Sequence, residues 1–303
     1  MNMKRIVVWL ALALVAVAVP LLPASAEAAT LRLCTGSPGK TYIRVGEKLA
    51  ELAEQLTMGG LEIEVLPSKG SIDNLNRTLA GECDAFIAQG DAVAFFASAV
   101  DQTIAERIEI MGELYKELGL LLCRRGSGVD DLDEVGSRTI AAGGMGSGSL
   151  ATILVLQKIA PDLYGDIEIY PANGFEGALA VLEGKAECVF DVIAPQSDLV
   201  QTLNDNERTG AQLYFAEIDN SDLEDFEIGG KRIYRIVTFD DEIYSNLSTF
   251  GDPETLAISA VFGVSRKFLE TNPEARSAIA MLLLMGGKDI EAVAYGDRKP
   301  FAE

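Results

Sequence analysis

Leu31-Arg32-Leu33-Cys34-Thr35-Gly36-Ser37-Pro38-Gly39-Lys40-Thr41 opens the most regularly patterned part of the chain. Apolar and polar side chains alternate up to Cys34, as a half-buried strand requires, and a glycine-rich turn then breaks the alternation. From Thr41 onward the apolar positions Val45, Leu49, Leu52 and Leu56 recur at three- and four-residue spacing, which places them on one helix face. A second strand over 61–66 alternates again and stops at Pro67-Ser68-Lys69-Gly70. Ser71 is placed to cap a helix over 73–80, and Gly81-Glu82-Cys83-Asp84 turns the chain into a third strand over 85–88.

The same order returns further along. Residues 138–142 read as a strand, Gly143-Gly144-Met145-Gly146-Ser147-Gly148 as a loop, and 149–159 as a helix. A strand over 167–170, the turn Pro171-Ala172-Asn173-Gly174, a helix over 175–182, and Gly184-Lys185-Ala186-Glu187-Cys188 leading into a strand complete the match. The chain carries two copies of one βαβαβ unit. Two buried-strand runs, 118–123 between the copies and 256–264 after the second, let the chain leave one lobe and return, and 273–294 reads as helices packed on the first. The expected division is a leader over 1–26, a first lobe of 27–120 and 257–303, and a second lobe of 121–256. Ligand-facing loops in α/β sheets lie at the carboxyl ends of strands, so both glycine loops are expected to face a cleft between the lobes.

Lys4 and Arg5 precede an apolar run over 6–19 that closes through Pro20 and Pro23 on Ala24-Ser25-Ala26, the pattern of a cleaved export signal. A mature end near Glu27 or Ala29 is expected, and the first cysteine, Cys34, lies too far on for a lipid anchor. The formal charge is −21, and loss of the two leader cations makes the chain more negative still. Such a field repels nucleic acid and anionic lipid. The acidic stretch 219–227 fits a solvated surface, since it lacks the glycine that a calcium loop needs at its sixth position. Histidine is absent altogether. That removes the usual general base, the imidazole metal ligand and the partner of a nucleophilic serine or cysteine. An enzyme is not expected, and no metal or organic cofactor is implied. An oxidising compartment permits disulfides among Cys34, Cys83, Cys123 and Cys188, with three connectivities open. Three of the four lie in or beside strand-like apolar runs, where a buried free thiol is the commoner outcome, and free thiols are the expectation.

Gly36-Ser37-Pro38-Gly39-Lys40-Thr41 approximates the phosphate loop of nucleotide hydrolases, but that pattern needs a glycine where this chain has Cys34. What remains is a run of exposed backbone N–H groups at a helix start, which suits a carboxylate. Gly146-Ser147-Gly148-Ser149 is its counterpart in the second copy and adds two hydroxyls, for which helix capping is the competing use.

Taken in order, Thr35 to Tyr42, Gly70-Ser71-Ile72-Asp73-Asn74-Leu75, Gly81-Glu82-Cys83-Asp84 through Gln89-Gly90-Asp91, Gly146-Ser147-Gly148-Ser149 and Gly184-Lys185-Ala186-Glu187 resemble the TAXI solute receptors of tripartite ATP-independent periplasmic (TRAP) transporters. The resemblance covers nearly all of the mature chain. It implies an α/β, two-lobed type II periplasmic-binding-protein fold in the periplasm. It also implies capture of an amino acid or small carboxylate, a glutamate-like or dicarboxylate solute, and its delivery to membrane permease subunits. Gly36, Ser37, Thr41 and Tyr42 are expected on one wall of the cleft with Lys40 beside them, and Gly146, Ser147 and Ser149 on the other. Ser71, Gln89, Asn173 and Asp191 are expected to orient the solute's polar groups. Lys40 and Ile43 depart from the family's usual glycine and tyrosine, and Lys40 either pairs with an anionic solute or points into solvent. A sensory binding protein that presents its ligand-bound form to a membrane receptor kinase has the same fold and cleft, and stands as the alternative.

Overall fold

The structure is a computed structural model that describes residues 29–195, 197–228, 230–240, 244–248, 251–296 and 301–302, so the expected leader lies outside the described residues. The first copy is β1 (Ala29–Cys34), α1 (Thr41–Leu56), β2 (Leu61–Leu66), α2 (Ser71–Leu79) and β3 (Ala85–Gln89), followed by α3 (Gly90–Ala99) and α4 (Ile104–Arg107). A long strand, β4 (Ile108–Arg124), then crosses to the second copy. That copy is β5 (Thr139–Ala141), α5 (Gly148–Ile159), α6 (Pro161–Tyr164), β6 (Glu168–Tyr170), α7 (Gly174–Leu182) and β7 (Cys188–Ile193). The second lobe continues through α8 (Asp198–Asp205), α9 (Glu207–Gly210), β8 (Leu213–Ala216), β9 (Glu227–Ile228), β10 (Lys231–Arg232) and β11 (Tyr234–Phe239). The chain returns on β12 (Glu254–Ser265) and ends in α10 (Arg266–Thr271), α11 (Pro273–Tyr295) and β13 (Phe301–Ala302).

One sheet runs through both lobes in the order β2-β1-β3-β12-β4-β7-β5-β6. Within each copy the strands are parallel, with the first strand in the middle. Each third strand then meets a crossing strand antiparallel, β3 on β12 and β7 on β4. The crossing strands pair with each other from Ile108–Ser265 to Gly119–Leu256. The result is the expected α/β architecture of two βαβαβ lobes joined by two crossing strands.

Leu31 and Leu33 of β1 and Val45 and Leu49 of α1 are fully buried, so the alternating strand and the helical stripe close on each other. Residues 273–294 form one helix, α11, which packs along α1 and β4. β4 begins at Ile108, well before the apolar run at 118–123, and Glu109, Glu113 and Lys116 hide its first half in the sequence by interrupting the apolar pattern. Ser71 is not the cap of α2 as expected; Gly70 precedes the helix with φ of 122°, a backbone setting that glycine tolerates. The Ser71 hydroxyl instead accepts from the Gln89 amide at 3.1 Å.

All four cysteines are bonded, Cys34 to Cys83 and Cys123 to Cys188, which corrects the expectation of free thiols. The reason is adjacency. Cys123 and Cys188 are register partners across β4 and β7, and Cys34 ends β1 beside the turn that enters β3. Among the described residues no helix is long and apolar enough to cross a membrane.

Candidate functional site

Loops from the carboxyl ends of the parallel strands converge on a cavity of about 610 Å³ between the lobes. On the first-lobe side the loop after β1 is fixed from behind. The Asn74 amide, fully buried, donates to the carbonyls of Thr35 at 2.6 Å and Ile87 at 2.7 Å. The Ser37 hydroxyl donates to the Ser68 carbonyl at 3.3 Å. Lys40 takes the cap position of α1 in extended backbone, yet no side chain caps the helix and its first turn holds no acid. The first N–H groups of a helix have no partner within it, so Gly36, Ser37 and Thr41 frame a positively polarised opening onto the cavity. Tyr42 is buried, and its hydroxyl donates to Glu117 Oε2 at 2.7 Å.

The second-lobe side is more fully bonded. Ser147 Oγ accepts from the Leu150 amide at 3.2 Å and so caps α5, leaving its own proton to donate. Ser149 Oγ accepts from the Val192 amide at 3.0 Å and donates to Asp191 Oδ1 at 3.4 Å. Asp191 Oδ2 accepts from the Gly174 amide at 2.8 Å, at the start of α7, where Asn173 precedes the helix. Burial raises the Asp191 carboxyl above its ordinary value, and the Gly174 amide and the Lys40 ammonium pull against it. Lys40 therefore reaches across the cleft; its Nζ lies 3.9 Å from the place that a Gly174 Cβ would occupy.

The lobes also touch directly. The Gly146 carbonyl accepts from the amides of Ile72 at 3.1 Å and Asp73 at 3.3 Å, so Gly146 does not line the cavity as expected but closes the start of α2 from the opposite lobe. Gln89 Nε2 donates to the Val192 carbonyl at 3.4 Å, and a Cβ at Gly148 would fall 2.4 Å from Gln89 Oε1, so any side chain there would have to displace the Gln89 amide. Behind these contacts Asp91, fully buried at the start of α3, accepts from the Thr152 hydroxyl of α5 at 2.6 Å and from the Tyr234 hydroxyl of β11 at 3.1 Å. Burial pushes the Asp91 carboxyl up to about 6. Among the described residues no group of His, Cys, Asp and Glu side chains is arranged to hold a metal ion.

The model of the NMT1-like family matches residues 33–271. The chain belongs to the NMT1-like family. Solved structures share its fold. An ancestral arginine-binding protein bound to arginine is 13% identical over 88% of this chain and 97% of its own, with a TM-score of 0.54. The periplasmic sulfonate-binding protein SsuA from Methylobacillus flagellatus KT is 15% identical over 89% of this chain and 74% of its own, with a TM-score of 0.51. The periplasmic domain of Bordetella pertussis BvgS is 15% identical over 89% of this chain, which spans only 44% of that one, with a TM-score of 0.50. No curated protein matches the chain.

In this NMT1-like chain the cavity brings together Gly36, Ser37, Lys40, Thr41, Tyr42, Ser71, Gln89, Ser147, Ser149, Asn173 and Asp191, and adds residues that the sequence did not single out. Arg44 lies one turn into α1 beyond Lys40, Lys69 precedes α2, and Phe175 opens α7. Glu117 enters from β4 and is only 3% exposed. Burial pushes its carboxyl up to about 8, and the Asp91 charge adds to the rise. The available signal for Glu117 was a lone acid abutting the apolar run at 118–123. Fixed amides, hydroxyls and a few ionic groups around a half-open cleft provide the means of binding a small polar solute.

Proposed function

We propose that this NMT1-like protein is an extracytoplasmic receptor that closes on a small carboxylate-bearing solute, anionic or zwitterionic, and delivers it to a TRAP-type permease. The TAXI-like order of its motifs supports the choice of permease. The observation that carries the reading is the start of α1, left without a side-chain cap, facing Ser147 and the Lys40 ammonium in a cleft that both lobes line. A carboxylate there accepts from the amides, from the Ser147 proton and from Lys40, and its charge meets the positive end of the helix dipole. The arginine and sulfonate named for its structural neighbours are small charged solutes, in keeping with a cavity of this size. The lobes are 27–120 with 257–303, and 121–256, and they move as bodies about β4 and β12, trapping the solute on closure.

Thermal melting against amino acids, dicarboxylates and 2-oxo acids tests this reading, with small-angle scattering on each hit. A ligand at a hundredfold excess over Kd stabilises by about 2.7 kcal/mol, which raises the midpoint by several degrees. Compaction is expected with it. A panel without any shift, or a hit that leaves the radius of gyration unchanged, overturns the receptor reading.

A further inference from the structure

Glu117 lies where β4 crosses between the lobes, opposite Ile258 of β12 in the ladder, buried and on the cavity wall. The other ionic groups of that wall are differently placed. Lys40, Lys69, Glu176 and Asp198 are exposed, Arg44 is half-buried and acts on Tyr115, and Asp191 is buried but engaged by the Gly174 amide and the Ser149 hydroxyl. Glu117 receives one hydrogen bond among the described residues, from Tyr42 to Oε2. The ionisable groups that face it are Tyr42 from α1, Tyr115 from its own strand and Asp91 from α3, two phenols and an acid. The cavity thus has its lysines at the rim and an acid without a cationic partner in its depth. A buried carboxylate is costly unless a cation pairs with it, so Glu117 is held protonated by burial and ionises fully only when the occupant supplies the positive charge.

Resting on the receptor reading above, we infer that Glu117 receives an ammonium group of the solute, so that the cavity selects molecules carrying both a carboxylate and a protonated amine. The two subsites are spanned by one side chain. Tyr42 is the second residue of α1, whose open start takes the carboxylate, and its hydroxyl ends on Glu117. A small zwitterion fits that span. A dicarboxylate or 2-oxo acid of the same length meets Glu117 only in its protonated form, through a single hydrogen bond, and lacks the ionic pair that an ammonium makes with the carboxylate. Because Glu117 sits on a crossing strand, the same pairing draws the ligand onto the element about which the lobes move.

The test is calorimetric titration of the purified full chain at neutral pH. Each amino acid that shifts the melting temperature is matched against its own 2-oxo acid and its deaminated carboxylate; glutamate, 2-oxoglutarate and glutarate form one such set. The wild type should bind the amino acid at least about tenfold tighter than either partner, and Glu117→Gln should lose roughly ten- to hundredfold of that affinity while closing the gap between the probes. The apo variant should melt no lower than wild type, since an uncharged amide replaces a buried acid. If the variant fails to fold, the wild-type comparison decides alone. A 2-oxo acid or dicarboxylate bound as tightly as its amino acid, or a preference that survives in Glu117→Gln, overturns the assignment and leaves the receptor reading standing. No binding by any probe overturns both.

Discussion

The loops at the carboxyl ends of β1 and β5 occupy equivalent places in the two copies, and they are bonded in opposite ways. In the first, α1 starts without a side-chain cap and Lys40 extends from the cap position over the cavity. In the second, Ser147 caps α5, and Ser149, Asp191 and the Gly174 amide form a closed set behind it. The covalent staples differ as well. Cys34–Cys83 closes the first copy on itself, whereas Cys123–Cys188 ties the second to the crossing strand. Repetition in the sequence thus marks a repeated backbone position, and the chemistry at that position depends on which donors each copy has already used. The first lobe offers open donors, and the second offers a rigid backing.

The largest effects are expected at the staples. Each closes a long loop, of 49 and 65 residues, so the paired replacements Cys34→Ser with Cys83→Ser, and Cys123→Ser with Cys188→Ser, should each cost about 4 kcal/mol of folding free energy in a denaturant titration. A loss below about 1 kcal/mol for one pair would show that its copy holds its shape without the bridge, and the two lobes would then differ in a way their strands do not reveal. Asp191→Ala comes next, because it strands the Gly174 amide and the Ser149 hydroxyl; a cost of about 2 to 3 kcal/mol is expected. Equal melting of this variant and wild type would show that the backing network is slack.

The capping contrast gives a smaller and more diagnostic pair. Ser147→Ala should cost about 1 kcal/mol of stability and, with one donor to the carboxylate gone, weaken binding as well. Lys40→Ala, at an exposed position, should change stability by less than about 0.5 kcal/mol. It should nevertheless weaken carboxylate binding several-fold, with the loss fading in high salt. Should Ser147→Ala instead bind poorly and melt normally, the open donor wall would be the second lobe's.

A pH dependence carried by Glu117 and Asp91 is expected as well. Both acids are raised by burial, so each contributes stability that is fully present below its ordinary value, 4.5 for Glu117 and 3.8 for Asp91, and that is lost as pH rises through about 8 and about 6 respectively. Melting temperature should fall on raising the pH, most steeply between about 4.5 and about 6, where both acids act, and less steeply up to about 8, where Glu117 acts alone. Asp91→Asn should flatten the lower part of the fall, and Glu117→Gln should remove the fall above about 6. A flat profile in wild type would mean that the cleft stays open and hydrated in the apo protein.

Much of the architecture was legible because each copy writes its strands and helices in hydrophobic period and punctuates them with glycine. Leu31 and Leu33 alternate, Val45 and Leu49 recur at helical spacing, and the turn at Gly81 has its counterpart at Gly184. The cleft loops followed from strand polarity alone. What the sequence hid depends on which segments become neighbours. Cys123 and Cys188 look like any buried cysteines until β4 and β7 are set antiparallel in register. Glu117 reads as an ordinary polar position in Tyr115-Lys116-Glu117-Leu118 until the crossing geometry turns it inward. Gly146 was placed in the cleft by analogy with the first loop, but its carbonyl found the unfilled amides of α2.

The paired strands that join the lobes have a mechanical consequence. β4 and β12 are bonded to each other along the crossing, with register shifts between Ala260 and Val261 and between Phe262 and Gly263. The joint narrows to these two strands only near Lys116 and Ser259, since β3 and β11 flank β12 on either side of Ser259 and β7 flanks β4 from Leu118 onward. A joint that narrow bends across its thin direction more readily than it stretches or shears, because either of those motions breaks ladder bonds. Bulges add local twist and soften the ribbon where they occur. On the receptor reading proposed above, a molecule a few ångströms across that draws the lobes together about that joint turns their outer surfaces, and a membrane partner reads the turn without ever touching the solute.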